Sequence, residues 1–195
     1  MAEVTSTFHL KFNNVAPDFG LPDAWGETHT LRELSGKNGT LIVFACNHCP
    51  FVIHLAQKLG EFADEIKSDG INTIAINSND LEAYPQDGPE PMKRFAVQHG
   101  WNFSYLIDRS QTVAKSYGAA CTPDFFLIDH EGKMVYTGQF DSSRPNSGAP
   151  ATGDDMRAAI ESLLAGKPSK NALPSSGCNI KWKPGNEPRW FPAGR

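Results

Sequence analysis

A continuous run of apolar and β-branched residues at positions 40–45 constrains the fold of this chain more than any other feature. Such a run is typical of a strand buried on both faces of a sheet, because neither face needs polar side chains. Apolar residues at spacings of three and four then predict a helix over roughly 47–67, and a second β-rich run occupies 71–77. Strand, helix and strand in this order predict a βαβ unit with a right-handed crossover.

The same alternation continues along the rest of the chain and predicts an α/β fold, with a mixed central sheet and helices on both faces. We expect one domain over 1–195, with a core at about 8–165 and a tail at 166–195 that packs on this core through Trp182, Trp190 and Phe191. The remaining predicted elements are a strand at 8–12, a helix at 91–99, a strand at 103–107, a helix from N-cap Ser110 to Gly118, strands at 125–128 and 134–138, and a helix at 154–164.

Two cysteines stand where the buried strand gives way to the helix, in the sequence Cys46-Asn47-His48-Cys49. A helix N-terminus carries about half a positive charge and presents free N–H groups, and both stabilise a thiolate at Cys46. Cys49 lies one turn further on and can close a disulfide with it. His48 can add positive charge beside the sulfur, which favours the reduced state and makes the disulfide more oxidising. This chemistry requires two sulfurs that are close together and open to solvent.

The sequence Cys121-Thr122-Pro123 comes just before the predicted strand at 125–128, and a proline in this place is a candidate for a cis peptide bond. With these motifs the chain resembles thioredoxin-fold proteins of the peroxiredoxin-like AhpC/TSA group, in a subgroup that carries a CxxC pair. The resemblance spans roughly residues 8–165 and implies a thioredoxin-like fold with an N-terminal extension and a C-terminal tail. The matching residues are 16–19, 41–45, 46–49, Asp108, 117–118, 122–123 and 126–129.

The resemblance implies a thiol–disulfide oxidoreductase that needs no cofactor. In such proteins the first cysteine of the pair attacks, here Cys46, and the second resolves the mixed disulfide, here Cys49. The cis peptide, here Thr122-Pro123, faces the pair and can hold a substrate strand, and a histidine in the place of His48 occurs in strongly oxidising members. The implied partners are protein or small-molecule thiols and disulfides, with another dithiol protein as electron donor.

The same resemblance leaves a thiol peroxidase as an alternative, because Cys49-Pro50 is similar to the Cys-Pro step that carries the peroxide-reactive cysteine of peroxiredoxins. Those enzymes have a threonine where this chain has Cys46. They also place an arginine before the late strand, and residues 121–124 contain none. A donor for the charge that develops on the leaving oxygen is then missing, unless Arg144 reaches the site from its loop. We therefore favour dithiol exchange.

The roles of two further cysteines stay open. Cys178 in the tail is either an additional resolving thiol, brought over the site by the tail, or a small buried residue. Cys121 is a further candidate redox thiol beside the proline. A third hypothesis is a non-enzymatic protein that binds a metal through Cys46, Cys49 and Cys121, although a structural zinc site usually takes four ligands from two paired knuckles. We expect no metal.

Charge and composition exclude several classes of protein. Lys and Arg number 18 against 22 Asp and Glu, a net charge of −4, which is the wrong sign for a nucleic-acid binder. The longest apolar run, at 41–45, is too short to span a membrane, and the N-terminus lacks the features of a secretory signal. Four cysteines do not make a disulfide scaffold. We therefore expect a cytoplasmic protein that acts as a monomer or homodimer.

Overall fold

The computed structural model describes residues 3–169 and 172–190. The helices are α1 (Leu31–Leu34), α2 (Pro50–Lys67), α3 (Pro89–Gln98), α4 (Thr112–Tyr117) and α5 (Asp154–Leu164). The strands are β1 (Glu3–Thr5), β2 (Gly20–Pro22), β3 (Thr28–Thr30), β4 (Gly39–Phe44), β5 (Ile71–Asn77), β6 (Ser104–Ile107), β7 (Cys121–Thr122), β8 (Asp124–Asp129), β9 (Met134–Gly138) and β10 (Ser176–Asn179). Among the described residues, no helix has both the length and the apolar character needed to cross a membrane.

The apolar run near position 40 forms the centre of a five-stranded sheet, in the order β6-β5-β4-β8-β9. β4 lies parallel to β5 and antiparallel to β8, and every residue of β4 is buried. Side chains that alternate along β4 point to opposite faces, so Leu41 and Val43 join one apolar cluster and Ile42 and Phe44 join the other. Helices cover both faces, which confirms the predicted α/β architecture of a mixed sheet.

The long helix α2 packs its predicted apolar stripe, including Leu55, Leu59 and Phe62, against one face of this sheet. It begins at Pro50, about three residues later than the pattern predicted, and Cys49 is its N-cap. Pro50 is well suited to the first turn, where backbone N–H groups have no partner within the helix. Residues 46–48 therefore form a connection between β4 and α2 rather than the first helical turn.

The N-terminal strand predicted at 8–12 is wrong, and the strand of this region is β1 instead. Phe8 has a positive φ of 51°, a left-handed conformation that interrupts extended backbone. Leu10 is buried, but Phe12 is 53% exposed, so the alternating pattern does not mark one buried face. A turn after residue 22 joins β2 to β3.

The C-terminal tail contains a strand, β10, that the sequence did not predict. β10 lies between β1 and β7 in a second, three-stranded antiparallel sheet. Beyond it, Ile180 and Trp182 are buried in the apolar cluster on the second face of the central sheet. Phe191 lies outside the described residues, and the division into one core and one tail stays a prediction.

Gln111 anchors this tail to the body, although the sequence placed the N-cap of α4 at Ser110. Gln111 is the N-cap and has a positive φ of 62°. Its side-chain amide donates to the carbonyl oxygen of Lys181 at 2.9 Å, and its amide oxygen accepts from the N–H of Lys183 at 2.9 Å. A buried polar side chain thus satisfies backbone groups of the tail that would otherwise lose their water partners.

Asp124, at the start of β8, joins both chain ends to the core. Its carboxylate accepts from the hydroxyl of Ser6 at 2.7 Å and from the N–H of Ala120 at 3.0 Å. The Ser6 hydroxyl oxygen accepts from the N–H of Ser175 at 3.0 Å. Burial outweighs these hydrogen bonds and raises the pKa of Asp124 to about 6.

This raised pKa predicts a pH-dependent stability. The ordinary pKa of an aspartate is 3.8, so the folded protein binds more protons than the unfolded chain between about pH 4 and about pH 6. The contribution of Asp124 to the free energy of unfolding is therefore full at low pH and is lost as the pH rises through this window, by about 3 kcal/mol. As the pH rises through this window, we expect the free energy of unfolding of Asp124→Asn to increase by that amount relative to the wild type. Urea unfolding measures this difference.

Asp69→Asn is the matched control, because Asp69 is exposed in the turn after α2. It should keep the pH profile of the wild type. An unchanged stability difference between Asp124→Asn and the wild type across the window would contradict the assignment of a buried, proton-retaining carboxyl group.

Candidate active site

The two cysteines of the CxxC segment lie at the carboxyl end of β4, between β4 and α2. Because β8 neighbours β4 in the sheet, the residues that precede β8 face this segment. The bond between Thr122 and Pro123 is a cis peptide, as the sequence predicted. The tail strand β10 pairs with β7, and this pairing places Cys178 opposite Thr122.

Three sulfur atoms meet at this place. Cys46, Cys49 and Cys178 pack together in one buried cluster. Cys46 Sγ lies 3.4 Å from the Thr122 hydroxyl. When it carries a proton, Cys49 Sγ donates it to the Thr122 carbonyl oxygen at 2.9 Å. The structure therefore brings together Cys46, Cys49, Thr122 and Pro123 as predicted from the sequence, and adds Cys178.

In this cluster the negative charge of a thiolate is more stable on Cys49 than on Cys46. The thiols of Cys178 and Cys46, followed by the Thr122 side chain and the N–H of Val52 in the first turn of α2, lower the pKa of Cys49 against the effect of burial. The pKa of Cys46 is raised, because its thiol donates to Cys49, because it is buried, and because the charge of Asp87 is near. The prediction of an acidic Cys46 is therefore wrong. The later start of α2 gives the physical reason, since its free N–H groups face Cys49.

The sulfurs are also less accessible than the sequence led us to expect. Cys46 is 1% exposed and Cys49 is fully buried, and Cys178 in the covering strand is 4% exposed. Both sulfurs lie against Thr122, but their burial contradicts the expectation that they are open to solvent. A disulfide of an outside partner reaches them only when a covering segment moves.

His48 is held by an acidic residue that the sequence analysis missed. His48 Nδ1 lies 2.7 Å from Asp87 Oδ2, and the ring of Tyr84 stacks on the imidazole with centroids 5.4 Å apart. Asp87 is fully buried and also accepts from the N–H of Asn47 at 2.9 Å and from the amide of Asn79 at 2.9 Å. These donors compensate for the loss of water around its carboxylate.

Asp87 changes the electrostatic role of His48. The sequence assigned His48 a positive charge beside the attacking sulfur, but the negative charge of Asp87 acts on Cys46 and raises its pKa. One signal pointed to this partner: the loop after β5 starts beside the end of β4, and loops at the carboxyl ends of parallel strands meet at one edge of a sheet. The spacing of 39 residues between the two side chains hides their contact from any local pattern.

Cys121 stands apart from the three-sulfur cluster. It is fully buried, and its thiol contacts the carbonyl oxygen of Pro123 at 3.4 Å. Burial, with the charge of Asp124, raises its pKa. Two groups of potential metal ligands occur among the described residues, Cys46-His48-Asp87 and Asp23-Glu27-His29. The predicted set of Cys46, Cys49 and Cys121 is not among them, so the structure does not assemble the metal site of the third hypothesis.

Arg144 lines a shallow cleft beside Pro123, with Phe51 and His54 on its walls. Its guanidinium group donates to the carbonyl oxygens of Asp141 and Ser143 and to the side chain of Gln139, at 2.7–3.1 Å. These donors are directed at the arginine's own loop, so they do not supply the charge stabilisation that a peroxidase requires at the sulfurs.

Comparison with known proteins identifies the family of this chain, through a match that includes the cysteine pair and Thr122-Pro123. The sequence profile of the AhpC/TSA family matches residues 12–137. The chain belongs to the AhpC/TSA family. The thioredoxin domain of a thiol-disulfide oxidoreductase from Bacteroides vulgatus, 22% identical, superposes with a TM-score of 0.61 over 80% of this chain and 99% of its own. This likeness confirms the predicted thioredoxin-like fold.

Relatives of this AhpC/TSA protein include an uncharacterized conserved protein from Geobacillus kaustophilus, whose solved structure is 46% identical, with a TM-score of 0.90 over 94% of this chain and 98% of its own. The thiol-disulfide oxidoreductase ResA of Halalkalibacterium halodurans is 32% identical over 62% of this chain; the match spans 64% of that relative. Peroxiredoxin Bcp of Escherichia coli is 28% identical over 65% of this chain and 84% of its own length. Both names denote oxidoreductases, the enzyme class that the sequence predicts.

The charge distribution in the site of this AhpC/TSA protein gives a direct test. We expect the reduced protein to show thiolate ultraviolet absorbance at neutral pH, because hydrogen bonds stabilise the anion of Cys49. Cys46→Ser should keep this absorbance, since serine still donates, and Cys49→Ser should lose it. Cys121→Ser is the control and should match the wild type. If Cys46→Ser lost the absorbance while Cys49→Ser kept it, the thiolate would lie on Cys46 instead of Cys49.

Proposed function

We propose that this protein is a thiol–disulfide oxidoreductase in which Cys46 and Cys49 form the redox couple. The observation that carries this proposal is that both sulfurs, at the start of α2, lie against one residue: Cys46 Sγ is 3.4 Å from the Thr122 hydroxyl and Cys49 Sγ is 2.9 Å from the Thr122 carbonyl oxygen. Two sulfurs held beside one residue are suitably placed for a disulfide, whose bond length is about 2.05 Å. The thiolate that exchange requires is supplied by the lowered pKa of Cys49.

The charge favours Cys49 as the attacking sulfur and Cys46 as the resolving sulfur, the reverse of the order that the sequence predicted. The Cys49 thiolate attacks a partner disulfide, a Cys49–partner disulfide forms, and the other partner sulfur leaves as a thiolate. Cys46 then gives up its proton to this partner thiolate and attacks the Cys49 sulfur. The Cys46–Cys49 disulfide forms, the second partner sulfur leaves, and the partner is reduced while this protein is oxidised.

The residues around the pair have positioning roles in this proposal. Thr122 contacts both sulfurs, Cys46 through its hydroxyl and Cys49 through its carbonyl, so it fixes the geometry of the pair, and Pro123 orients the segment that carries it. Asp87 holds His48 at 2.7 Å and keeps the proton on Cys46 until the resolving step, because its negative charge disfavours a thiolate there.

The substrates we propose are thiols and disulfides, of proteins or small molecules, with another dithiol protein as electron donor. Support comes from membership of the AhpC/TSA family and from the ResA relative, whose name is that of a thiol-disulfide oxidoreductase. All the groups that the exchange requires are side chains of this chain, so the proposed reaction involves no cofactor. A cytoplasmic location and a monomeric or dimeric state stay predictions.

Trapping of mixed disulfides tests the proposed order of attack. The double variant Cys46→Ser/Cys178→Ser leaves Cys49 able to attack but removes both neighbouring thiols, so we expect a stable disulfide between Cys49 and a disulfide probe such as oxidised glutathione. Cys49→Ser should trap far less probe, because Cys46 keeps its proton. Either variant should reduce catalysed disulfide exchange to the uncatalysed rate. Efficient trapping on Cys46 in Cys49→Ser would reverse the order, and exchange that survives in both variants would overturn the proposal.

One observation keeps the thiol peroxidase as a second candidate. Cys49 stands directly before Pro50, at a helix N-terminus, and carries the lowered pKa, and a relative bears the name peroxiredoxin Bcp. Against it, the donors of Arg144 are directed at its own loop. Stopped-flow measurement of peroxide consumption separates the two. Rapid consumption that survives Cys46→Ser supports the peroxidase, and consumption no faster than that of a free thiol excludes it.

A further inference from the structure

We propose that Cys178 is a third redox thiol, which forms a disulfide with Cys49 from its place in the tail strand β10. This inference rests on the dithiol exchange proposed above and extends it to a second partner for the same sulfur. The Cys49 sulfur is the shared atom, because it contacts the carbonyl oxygen of Thr122 at 2.9 Å, Cys46 Sγ lies 3.4 Å from the hydroxyl of the same residue, and Cys178 pairs with Thr122 from β10. All three cysteines pack in one buried cluster.

The backbone places Cys178 at this position by strand pairing. Cys178 pairs with Thr122 on one side of β10 and with Glu3 on the other. A strand held on both sides has a fixed register, and a register shift of one residue would turn the sulfur to the opposite face. Just beyond it, the N–H of Ile180 donates to the carbonyl oxygen of Ala120 at 3.1 Å and holds the far end of the strand.

Gly177 allows this close approach. A side-chain carbon at position 177 would lie 2.2 Å from the carbonyl oxygen of Thr122 and 2.7 Å from its carbonyl carbon. These are backbone atoms and cannot turn away as a flexible side chain can, so only glycine permits β10 to lie this near to β7. The contact between Cys178 and Cys49 depends on that approach.

The position of β10 lets Cys178 act as a thiol of a partner protein would act. β10 pairs antiparallel with β7, the strand that leads into Pro123, and this pairing places Cys178 beside the site. Burial of all three sulfurs hinders attack from outside but does not hinder exchange among themselves. Cys121, one residue from Thr122, is equally buried but contacts the carbonyl oxygen of Pro123, so burial alone does not explain the sulfur contact of Cys178.

The exchange step is balanced without any further reactant. In the oxidised protein the sulfur of Cys178, once deprotonated, attacks the Cys49 sulfur of the Cys46–Cys49 disulfide. The Cys178–Cys49 bond forms, the Cys49–Cys46 bond breaks, and Cys46 leaves as a thiolate that takes up the proton lost by Cys178. One disulfide and one thiol are present before and after. The product holds the tail strand covalently across the edge beside Pro123.

Peptide mapping by mass spectrometry tests the pairing. Reduced Cys46→Ser, treated with oxidised glutathione and then digested without reduction, should give a peptide that links Cys49 to Cys178. The double variant Cys46→Ser/Cys178→Ser should instead retain glutathione on Cys49. Cys46→Ser/Cys121→Ser is the matched control and should still give the Cys49–Cys178 link. Glutathione on Cys49 with a free Cys178 in Cys46→Ser would overturn the inference.

Cys178→Ser in the same experiment distinguishes this inference from the proposed function. A digest of Cys178→Ser without any Cys46–Cys49 link, together with a Cys49–Cys178 link in Cys46→Ser, would support the third thiol and remove the proposed CxxC couple. The opposite result, a Cys46–Cys49 link in Cys178→Ser with no link to Cys178 in Cys46→Ser, would leave the CxxC couple and overturn the inference.

Gly177→Val tests the role of the strand without changing a sulfur. Its side chain would displace β10 from Thr122, so we expect Gly177→Val/Cys46→Ser to lose the Cys49–Cys178 link, whereas Gly177→Val alone still forms the Cys46–Cys49 link and so reports an intact fold. Gly20→Ala/Cys46→Ser is the control, because an added carbon at Gly20 meets no atom closer than 3.9 Å. A Cys49–Cys178 link that persists in Gly177→Val/Cys46→Ser would contradict the proposed delivery by β10.

Discussion

The contact of the Cys49 sulfur with its neighbours at the first turn of α2 is the interaction on which the site depends. The central strand β4 leads into this turn, β7 brings Thr122 to one side, and β10 brings Cys178 to the other. Three separate parts of the chain therefore converge on one atom. Helical N–H groups and thiol donors together stabilise its anion, which is the reactive form in disulfide exchange.

Burial and charge act in opposite directions in this cluster, and their balance assigns a role to each sulfur. Burial disfavours every thiolate, so the charge goes to the sulfur with the most donors. Asp87 adds a negative charge near Cys46 and strengthens the difference between the two cysteines. A stabilised thiolate favours the reduced state of the pair, as in oxidising members of thiol–disulfide couples. His48 is oriented by Asp87 and stacked on Tyr84, which keeps the acidic loop beside the pair.

Patterns in the sequence predicted those parts of the fold that depend on neighbouring residues. The buried strand near residue 40, the stripe of α2 and the strand β5 follow from apolar periodicity, and the cysteine pair with Thr122-Pro123 located the site. The start of α2 was predicted about three residues too early because the apolar stripe lies within the helix and does not mark where the helical backbone begins. Asp87 and β10 were missed because their contacts join residues far apart in the sequence; Cys178 lies opposite Thr122 through pairing that no local pattern encodes.

An equilibrium redox titration against mixtures of reduced and oxidised glutathione, with free thiols counted after acid quenching, is the most direct measurement of the central claim. Three sulfurs that share one disulfide predict a single two-electron transition in which the wild-type chain loses two of its four thiols. Substitution of Cys49 should abolish the transition, because both disulfides require that atom. Four free thiols at every ratio, or an unchanged transition in Cys49→Ser, would contradict the account.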